Sequence, residues 1–100
     1  MVHHIILWKI KEDKTQEEKL IIKKNVKDGL EGLKGKVPGI EKIEVQIESL
    51  ESSTADIMLD SVFSDAQALK NYATHPAHVE VADTYVRPFM EVRMCLDFEK

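Results

Sequence analysis

The chain contains a single cysteine, Cys95, among its 100 residues. A disulfide within one chain is therefore impossible, and a cysteine-based zinc site is excluded. Cys95 stands in an apolar stretch close to the C-terminus, where a lone cysteine is typical of a small core residue. The sequence accordingly predicts a buried, structural thiol at this position.

The chain also lacks an excess of positive charge and any long hydrophobic run. Its 14 Lys and Arg residues are outnumbered by 18 Asp and Glu residues, for a net charge of −4. This balance argues against a nucleic-acid partner, because phosphate binding needs a basic surface. The apolar run Ile5–Trp8 is far too short to span a bilayer, and no basic segment of a secretory signal precedes it. We therefore expect a cytoplasmic protein that does not bind membranes.

The residues that are present predict one folded domain over 1–100. The composition is 43% hydrophobic and 32% charged, which is ordinary for a globular protein. A chain of this length has no room for a second core, and no internal repeat or low-complexity segment occurs.

Hydrophobic periodicity divides the first half of the chain into a strand, a helix and a second strand. Residues 2–10 predict a strand with apolar residues on both faces. Thr15 and Glu18 form a capping-box pattern that opens a helix of roughly five turns. The apolar stripe of this helix comprises Ile22, Val26, Leu30 and Leu33, and Gly35, Pro38 and Gly39 end it. Residues 40–49 alternate between apolar and polar, as in a half-buried strand.

The second half continues with a strand over 55–63, which forms a hairpin with the strand before it. A second capping box, Ser64 to Gln67, opens a short helix. Pro76 interrupts this helix at His75, because proline disfavours a helical conformation at the preceding residue. Helical structure resumes over 76–87, and a last strand covers 91–98. The order β-α-β-β-α-β predicts a ferredoxin-like α+β fold, with helices on one face of a four-stranded antiparallel sheet.

The apolar character of the first strand on both faces predicts a homodimer. Helices cover only one face of such a sheet, so Trp8 or its neighbours would be exposed on the other face. A second copy, with its sheet facing the first, would cover these residues in a symmetric dimer. The space between each sheet and its helices is then the expected cleft for a small-molecule ligand.

Several short motifs resemble the stress-responsive dimeric α/β-barrel (Dabb) family. They are His3-His4-Ile5, Val37-Pro38-Gly39-Ile40, the segment from Tyr72 to Val79 with its His75-Pro76-Ala77-His78 element, Tyr85-Val86-Arg87-Pro88 and Asp97-Phe98-Glu99. Together these motifs extend over nearly the whole chain. The resemblance implies a ferredoxin-like protomer and a homodimeric barrel.

The resemblance also suggests an activity. Most members of the family have no established function, some plant members are associated with stress, and one branch contains a polyketide cyclase that closes a ring by aldol condensation. Tyr72 and His78 match the catalytic pair of the cyclase, and His4 matches a pocket histidine. Ile57 stands where the cyclase has a further pocket histidine, so the sequence departs from the cyclase at the third strand.

Two interpretations of Tyr72 and His78 remain open. In an enzyme acting on a carbonyl compound, His78 would be the general base and Tyr72 would donate a hydrogen bond to the enolate oxygen. In a ligand-binding protein without chemistry, the Tyr72 hydroxyl would bond a backbone carbonyl and His78 would be a half-buried helix residue.

The other histidines have both structural and functional interpretations. His3 and His4 point to opposite faces of a strand, and we place His4 in the cleft as a ligand-binding residue. His75 is a second candidate ligand-binding residue. Its spacing from His78 also suits a metal, but its position before Pro76 favours capping of a helix.

The end of the first helix is the remaining candidate site. In plant members of the family, backbone carbonyls in this turn hold a magnesium ion, and the matching positions are Lys34, Val37 and Ile40. Hard oxygen ligands suit magnesium. The alternative is an ordinary capped helix end. Near the last strand, Arg87, Glu91 and Arg93 have two interpretations. They form a set of ion pairs, or they belong to a solvated face or a dimer salt bridge, and the second interpretation is favoured.

Overall fold

Four strands form one antiparallel sheet in the computed structural model, which describes all 100 residues. They are β1 Val2–Ile10, β2 Ile40–Gln46, β3 Ile57–Phe63 and β4 Met90–Glu99. Their order across the sheet is β2-β3-β1-β4, so β1 is central and β4 forms one edge. Every neighbouring pair is antiparallel. This arrangement confirms the ferredoxin-like fold.

The first helix, α1, covers Gln16–Glu31. The predicted capping box is present, because Thr15 accepts a hydrogen bond from the Glu18 amide and the Glu18 carboxylate accepts one from the Thr15 amide. The helix ends at Gly32, earlier than Gly35. Leu33 consequently lies beyond the helix, although its side chain is still buried in the core as its spacing predicts.

The helical segment after β3 is divided at His75, as predicted. Helix α2 covers Ala66–Thr74, and helix α3 covers Pro76–Val81. His75 between them has an extended backbone, with φ −64° and ψ 133°, and Pro76 occupies the first position of α3. Asp65, rather than Ser64, caps α2, because its carboxylate accepts a hydrogen bond from the Ala68 amide.

Helical structure continues past α3, first in a wider turn and then in a tighter one. A π-helical turn covers Ala82–Val86, and a 3-10 turn covers Arg87–Phe89. The predicted helix over 76–87 includes the π-helical turn but ends at Arg87, the first residue of the 3-10 turn. Strands β2 and β3 are shorter than the predicted 40–49 and 55–63. None of the helices is both long enough and apolar enough to cross a membrane.

The core lies between the sheet and the helices, and Gly39 is essential to its geometry. Val26, Ile10 and Phe63 in this core have no exposed surface. Gly39 has a φ of +87°, and a Cβ atom there would lie 2.6 Å from the Ala68 Cβ. Only glycine therefore allows β2 to begin this close to α2.

The opposite face of the sheet has no covering element, and it is apolar along the neighbouring strands β1 and β4. Leu7, Met94 and Leu96 are 41%, 66% and 63% exposed on this open face. Trp8, which the sequence analysis placed at risk of exposure, is only 4% exposed and faces the helices. The prediction of an exposed apolar patch is confirmed for its neighbour Leu7 and wrong for Trp8.

Candidate functional site

A cavity of about 330 Å³ lies between the sheet and the helices, where the sequence predicted a cleft. Its size is in the range of small-molecule sites. Eleven of its sixteen lining residues are hydrophobic. The other five are His4 of β1, His78 of α3, Arg87 of the 3-10 turn, and Glu91 and Arg93 of β4. Tyr72 of α2, one of the eleven, adds a hydroxyl group.

Tyr72 lies deep in this site, and its hydroxyl has no partner. The side chain is 2% exposed, and its ring lies 4.8 Å from the Phe63 ring and 4.2 Å from the His78 ring. Its Oη is the one fully buried side-chain polar atom without a hydrogen bond. An unpaired buried hydroxyl costs about 1–3 kcal/mol. The bond from Tyr72 to a backbone carbonyl, which the interpretation without chemistry requires, is absent.

Burial fixes the protonation state of Tyr72. It raises the pKa of the hydroxyl far above its ordinary value of 10.0. The group is consequently neutral at physiological pH and able to donate a hydrogen bond into the site.

His78 lies half-buried against Tyr72, with one ring nitrogen occupied. Its Nδ1 lies 3.1 Å from the Ala73 carbonyl oxygen. Because a carbonyl can only accept, Nδ1 carries the proton, and the lone pair of the neutral ring is on Nε2. Burial, together with the positive charges of Arg87 and Arg93, lowers the pKa of His78 below 6.5. Nε2 is therefore a free acceptor at neutral pH.

His4 is buried on the helix-covered face, as predicted, and lines the cavity. Its Nδ1 donates a hydrogen bond to the Asp97 carboxylate, and the Cys95 Sγ lies 3.7 Å from the same nitrogen. The ring approaches Tyr72 edge-on, with 6.3 Å between the ring centroids. The structure thus brings His4, Tyr72 and His78 together around one cavity.

His75 and His3 lie outside it. The His75 Nδ1 accepts a hydrogen bond of 3.1 Å from the Ala77 amide, so His75 caps α3. This position supports the capping interpretation and gives no support to ligand binding in the cavity. His3 faces the open side of the sheet, where its ring stacks on Phe98 at 4.9 Å.

The turn after α1 is a poor fit for a divalent cation. The Lys34 ammonium donates a hydrogen bond of 2.7 Å to the Glu41 carbonyl, next to Ile40. It thereby places a positive charge in the same turn as the three predicted carbonyls, those of Lys34, Val37 and Ile40. A magnesium ion would be repelled by this charge.

Ile57 also lies away from the cavity. It is 2% exposed in the core and is paired across the sheet with Trp8. The third-strand residue that lines the cavity is Leu59, two positions along the same face. Neither position supplies a polar group from β3.

The sequence analysis named Glu91, Arg93 and Cys95 but did not place them beside the cavity or next to Asp97. Glu91, Arg93, Cys95 and Asp97 alternate with the apolar residues of that strand, so they share the helix side of the sheet. Cys95 is exposed, and the prediction of a buried core thiol is wrong, because the helices do not extend over this edge strand. The alternation itself was the signal that could have identified these residues.

The less favoured alternative for Arg87, Glu91 and Arg93, a set of ion pairs among themselves, does not form. Arg87 is paired with Asp83, and Glu91 with Lys9 at 3.3 Å. Arg93 has no carboxylate partner, although it lines the cavity. The cavity therefore has an unpaired positive charge at its β4 side.

Comparison with known proteins agrees with this architecture. The family model described as the stress responsive A/B barrel domain matches residues 2–100. A Bacteroides fragilis protein, described as dimeric, ferredoxin-like and of unknown function, is 37% identical with a TM-score of 0.93. That match covers 99% of this chain and 95% of the other. No protein among the curated sequences matches.

More distant structures share the fold. A Dabb family protein from Mesorhizobium loti is 17% identical, with a TM-score of 0.75 over 99% of this chain and 95% of the other. A hydroxynitrile lyase from Passiflora edulis is also 17% identical, with a TM-score of 0.72 over 97% of this chain and 90% of the other. The family match over nearly the whole length leaves one conclusion: the chain belongs to the stress-responsive A/B barrel (Dabb) domain family.

Proposed function

We propose that this protein is a cytoplasmic homodimer that binds a small carbonyl compound in the cavity between sheet and helices. The observation that carries the proposal is the unpartnered Tyr72 hydroxyl next to the free Nε2 of His78. A ligand with an apolar body and a carbonyl oxygen would match the apolar lining and give Tyr72 the acceptor it lacks. The unpaired Arg93 favours a ligand that also carries negative charge.

Dimerisation is supported by the open face. Leu7, Met94 and Leu96 form an exposed apolar patch, with Phe98 beside it at 37% exposure. Burying such side chains contributes roughly 1.5–3 kcal/mol each. The Bacteroides fragilis relative is described as dimeric. A second copy packed sheet to sheet would remove the patch from water.

We further propose that the site is catalytic, as a cyclase or lyase acting on a carbonyl or polyketide-like substrate. The His78 Nε2 would take a proton from the carbon next to the carbonyl group, and the electron pair of the C–H bond would move into the enolate. Tyr72 would donate its hydrogen bond to the developing enolate oxygen. The observation that favours catalysis is the orientation of His78, because Ala73 fixes the tautomer that a base requires.

The shared fold is compatible with this chemistry without proving it. The Passiflora edulis relative is named as a hydroxynitrile lyase, but a fold alone does not determine an activity. The proposal therefore depends on the two side chains and not on the relative.

Hydrogen–deuterium exchange tests the catalytic proposal without knowledge of the substrate. The protein is incubated in heavy water with a panel of small 1,3-dicarbonyl compounds, and loss of the α-proton signal is followed by NMR. We expect the protein to accelerate exchange and His78→Ala to lower the rate about 10²-fold or more, the usual contribution of a general base. Tyr72→Phe should lower it by a smaller factor.

His75→Ala is the matched control, because it removes a histidine of the same motif that lies outside the cavity. It should leave the exchange rate unchanged once folding is confirmed by circular dichroism. Exchange that persists in His78→Ala would contradict the role of His78 as the base. Binding of these compounds without any exchange would leave a ligand-binding protein and eliminate the catalytic proposal.

A further inference from the structure

A second cluster lies beside the cavity, on the helix side of β1 and β4. It consists of His4, Cys95 and Asp97, whose ligand atoms all lie within 4.8 Å of one another. Strand pairing creates it: His4 is opposite Asp97, and Cys95 is two residues away on the same face of β4. The three residues are distant in sequence, and the sheet alone brings them together.

The three side chains converge on a single point. The Cys95 Sγ lies 3.7 Å from the His4 Nδ1 and 3.4 Å from the Asp97 Oδ1, and this carboxylate oxygen accepts the hydrogen bond from Nδ1. In a nucleophilic triad the thiol and the carboxylate would contact opposite nitrogens of the imidazole. Here both contact Nδ1, so the arrangement does not activate the thiol.

We propose that His4, Cys95 and Asp97 form a binding site for a zinc ion. The donor set of one nitrogen, one sulfur and one oxygen suits this borderline-soft ion, which commonly takes three protein ligands and a water molecule. Tetrahedral zinc places a sulfur ligand ~3.6 Å from a nitrogen or oxygen ligand. Both sulfur distances in the cluster are close to this value.

Small movements would complete the site. The ring of His4 is held in the buried face, whereas the Asp97 side chain is 45% exposed and free to rotate away from Nδ1 as the metal enters. Exposure of Cys95 and Asp97 leaves a path from solvent and room for a water ligand. A count of cysteines excluded a cysteine-based zinc site, but one cysteine is sufficient as one ligand of three.

Zinc would change the protonation of the cluster in a defined way. The Cys95 thiol loses its proton to solvent on forming the zinc–sulfur bond. The Nδ1 lone pair of His4 binds the metal, so the ring proton moves to Nε2. His4, which lines the cavity, would then carry its proton on the nitrogen that is a hydrogen-bond acceptor in the metal-free state. The zinc site shares His4 with the cavity, but its evidence does not depend on the chemistry proposed for Tyr72 and His78.

Metal titration of the full-length, untagged protein tests the proposal. Isothermal titration with zinc should show one ion per chain and release of about one proton, measured in buffers of different ionisation enthalpy. Cobalt, used as a spectroscopic substitute, should give a thiolate-to-metal charge-transfer band and the visible bands of a tetrahedral centre.

Single substitutions identify the ligands. Cys95→Ser should abolish the charge-transfer band. Cys95→Ser and Asp97→Asn should each weaken zinc binding by more than 100-fold, because loss of an outer partner costs about 10–100-fold. His75→Gln and His3→Gln are matched controls that remove histidines outside the cluster, and they should keep the wild-type affinity. The proposal is overturned if wild-type protein binds no zinc, if Cys95→Ser binds it equally well, or if a control weakens it as much.

Discussion

The two faces of the sheet differ in how their apolar side chains are removed from water. On the covered face, Ile6 and Trp8 are each 4% exposed, because they belong to one core cluster with residues of α1, α2 and the π-helical turn. Leu7, between them in the same strand, is 41% exposed on the open face. The covered face is completed within one chain, whereas the open face requires a second copy.

Strand β4 takes part in both faces without being covered by a helix. Its apolar residues Met94, Leu96 and Phe98 lie on the open face with Leu7 and Ile5 of β1. Its polar residues Arg93 and Asp97 lie on the helix side, next to the cavity and His4. The same strand therefore connects the proposed dimer interface with the candidate functional site, because alternate side chains point to opposite faces.

The largest effect is expected from a charge on the open face. Leu96→Glu would bury a carboxylate without a partner in the dimer, at a cost of about 3–5 kcal/mol. This corresponds to a dissociation constant raised by about 100-fold or more. Sedimentation velocity should show a dimer for the wild type and a monomer for the variant, with an unchanged circular dichroism spectrum.

Leu20→Glu is the control for this experiment. Leu20 is 67% exposed on α1, on the helix side of the sheet, so its substitution should leave the dimer intact. A wild-type protein that sediments as a monomer at micromolar concentration would refute the proposed interface, as would a Leu96→Glu variant that remains dimeric.

A truncation on the covered face should destabilise the protomer itself. Ile57 is 2% exposed in the core, and Ile57→Ala should lower the free energy of unfolding by about 2–5 kcal/mol. Urea denaturation at several protein concentrations measures the loss. We expect the same loss at every concentration for Ile57→Ala, whereas Leu7→Ala should act mainly through the dimer and so depend on concentration. Equal, concentration-independent losses would contradict the difference between the faces.

The smallest expected effect is a pH dependence of the free energy of unfolding, caused by His78 on the covered face. The pKa of His78 is lowered in the folded state, so the unfolded chain binds a proton more readily than the folded chain below pH 6.5. The stabilising contribution is present above pH 6.5 and is lost as the pH falls through the folded-state pKa. Denaturation between pH 7.5 and about 5 should show a steeper loss of stability in the wild type than in His78→Gln. Parallel profiles would contradict the lowered pKa.

Local patterns in the sequence were sufficient to predict the strands, the helices and the helix break at His75. Thr15 and Glu18 cap a helix through neighbouring backbone groups, and Pro76 acts on the residue directly before it, so both effects are contained in short segments. The alternation of β2 and the two-sided apolar character of β1 likewise follow from side chains a few residues apart. The prediction of helix ends was less accurate. Helix α1 ends at Gly32 because of local hydrogen bonds, which the periodicity of apolar residues does not indicate.

The candidate site was predicted only in part. Tyr72, His78 and His4 were identified because they are chemically versatile and match a family motif. His75 carries the same side chain, yet its extended backbone before Pro76 directs it to the Ala77 amide and away from the cavity. The position of Arg93 beside the cavity was not predicted, because the face to which a residue on an edge strand points depends on which side of the sheet the helices cover.

The sequence by itself determined the order of the strands and helices and the helix break at His75, because these follow from periodicity and from short-range backbone chemistry. Only the tertiary structure decided which apolar residues remain exposed and which polar residues meet. The contact of His4 with Asp97, 93 positions apart, depends on the register between β1 and β4. A shift of one residue would move every side chain of a strand to the other face, and that register is set by packing of the whole sheet against its helices.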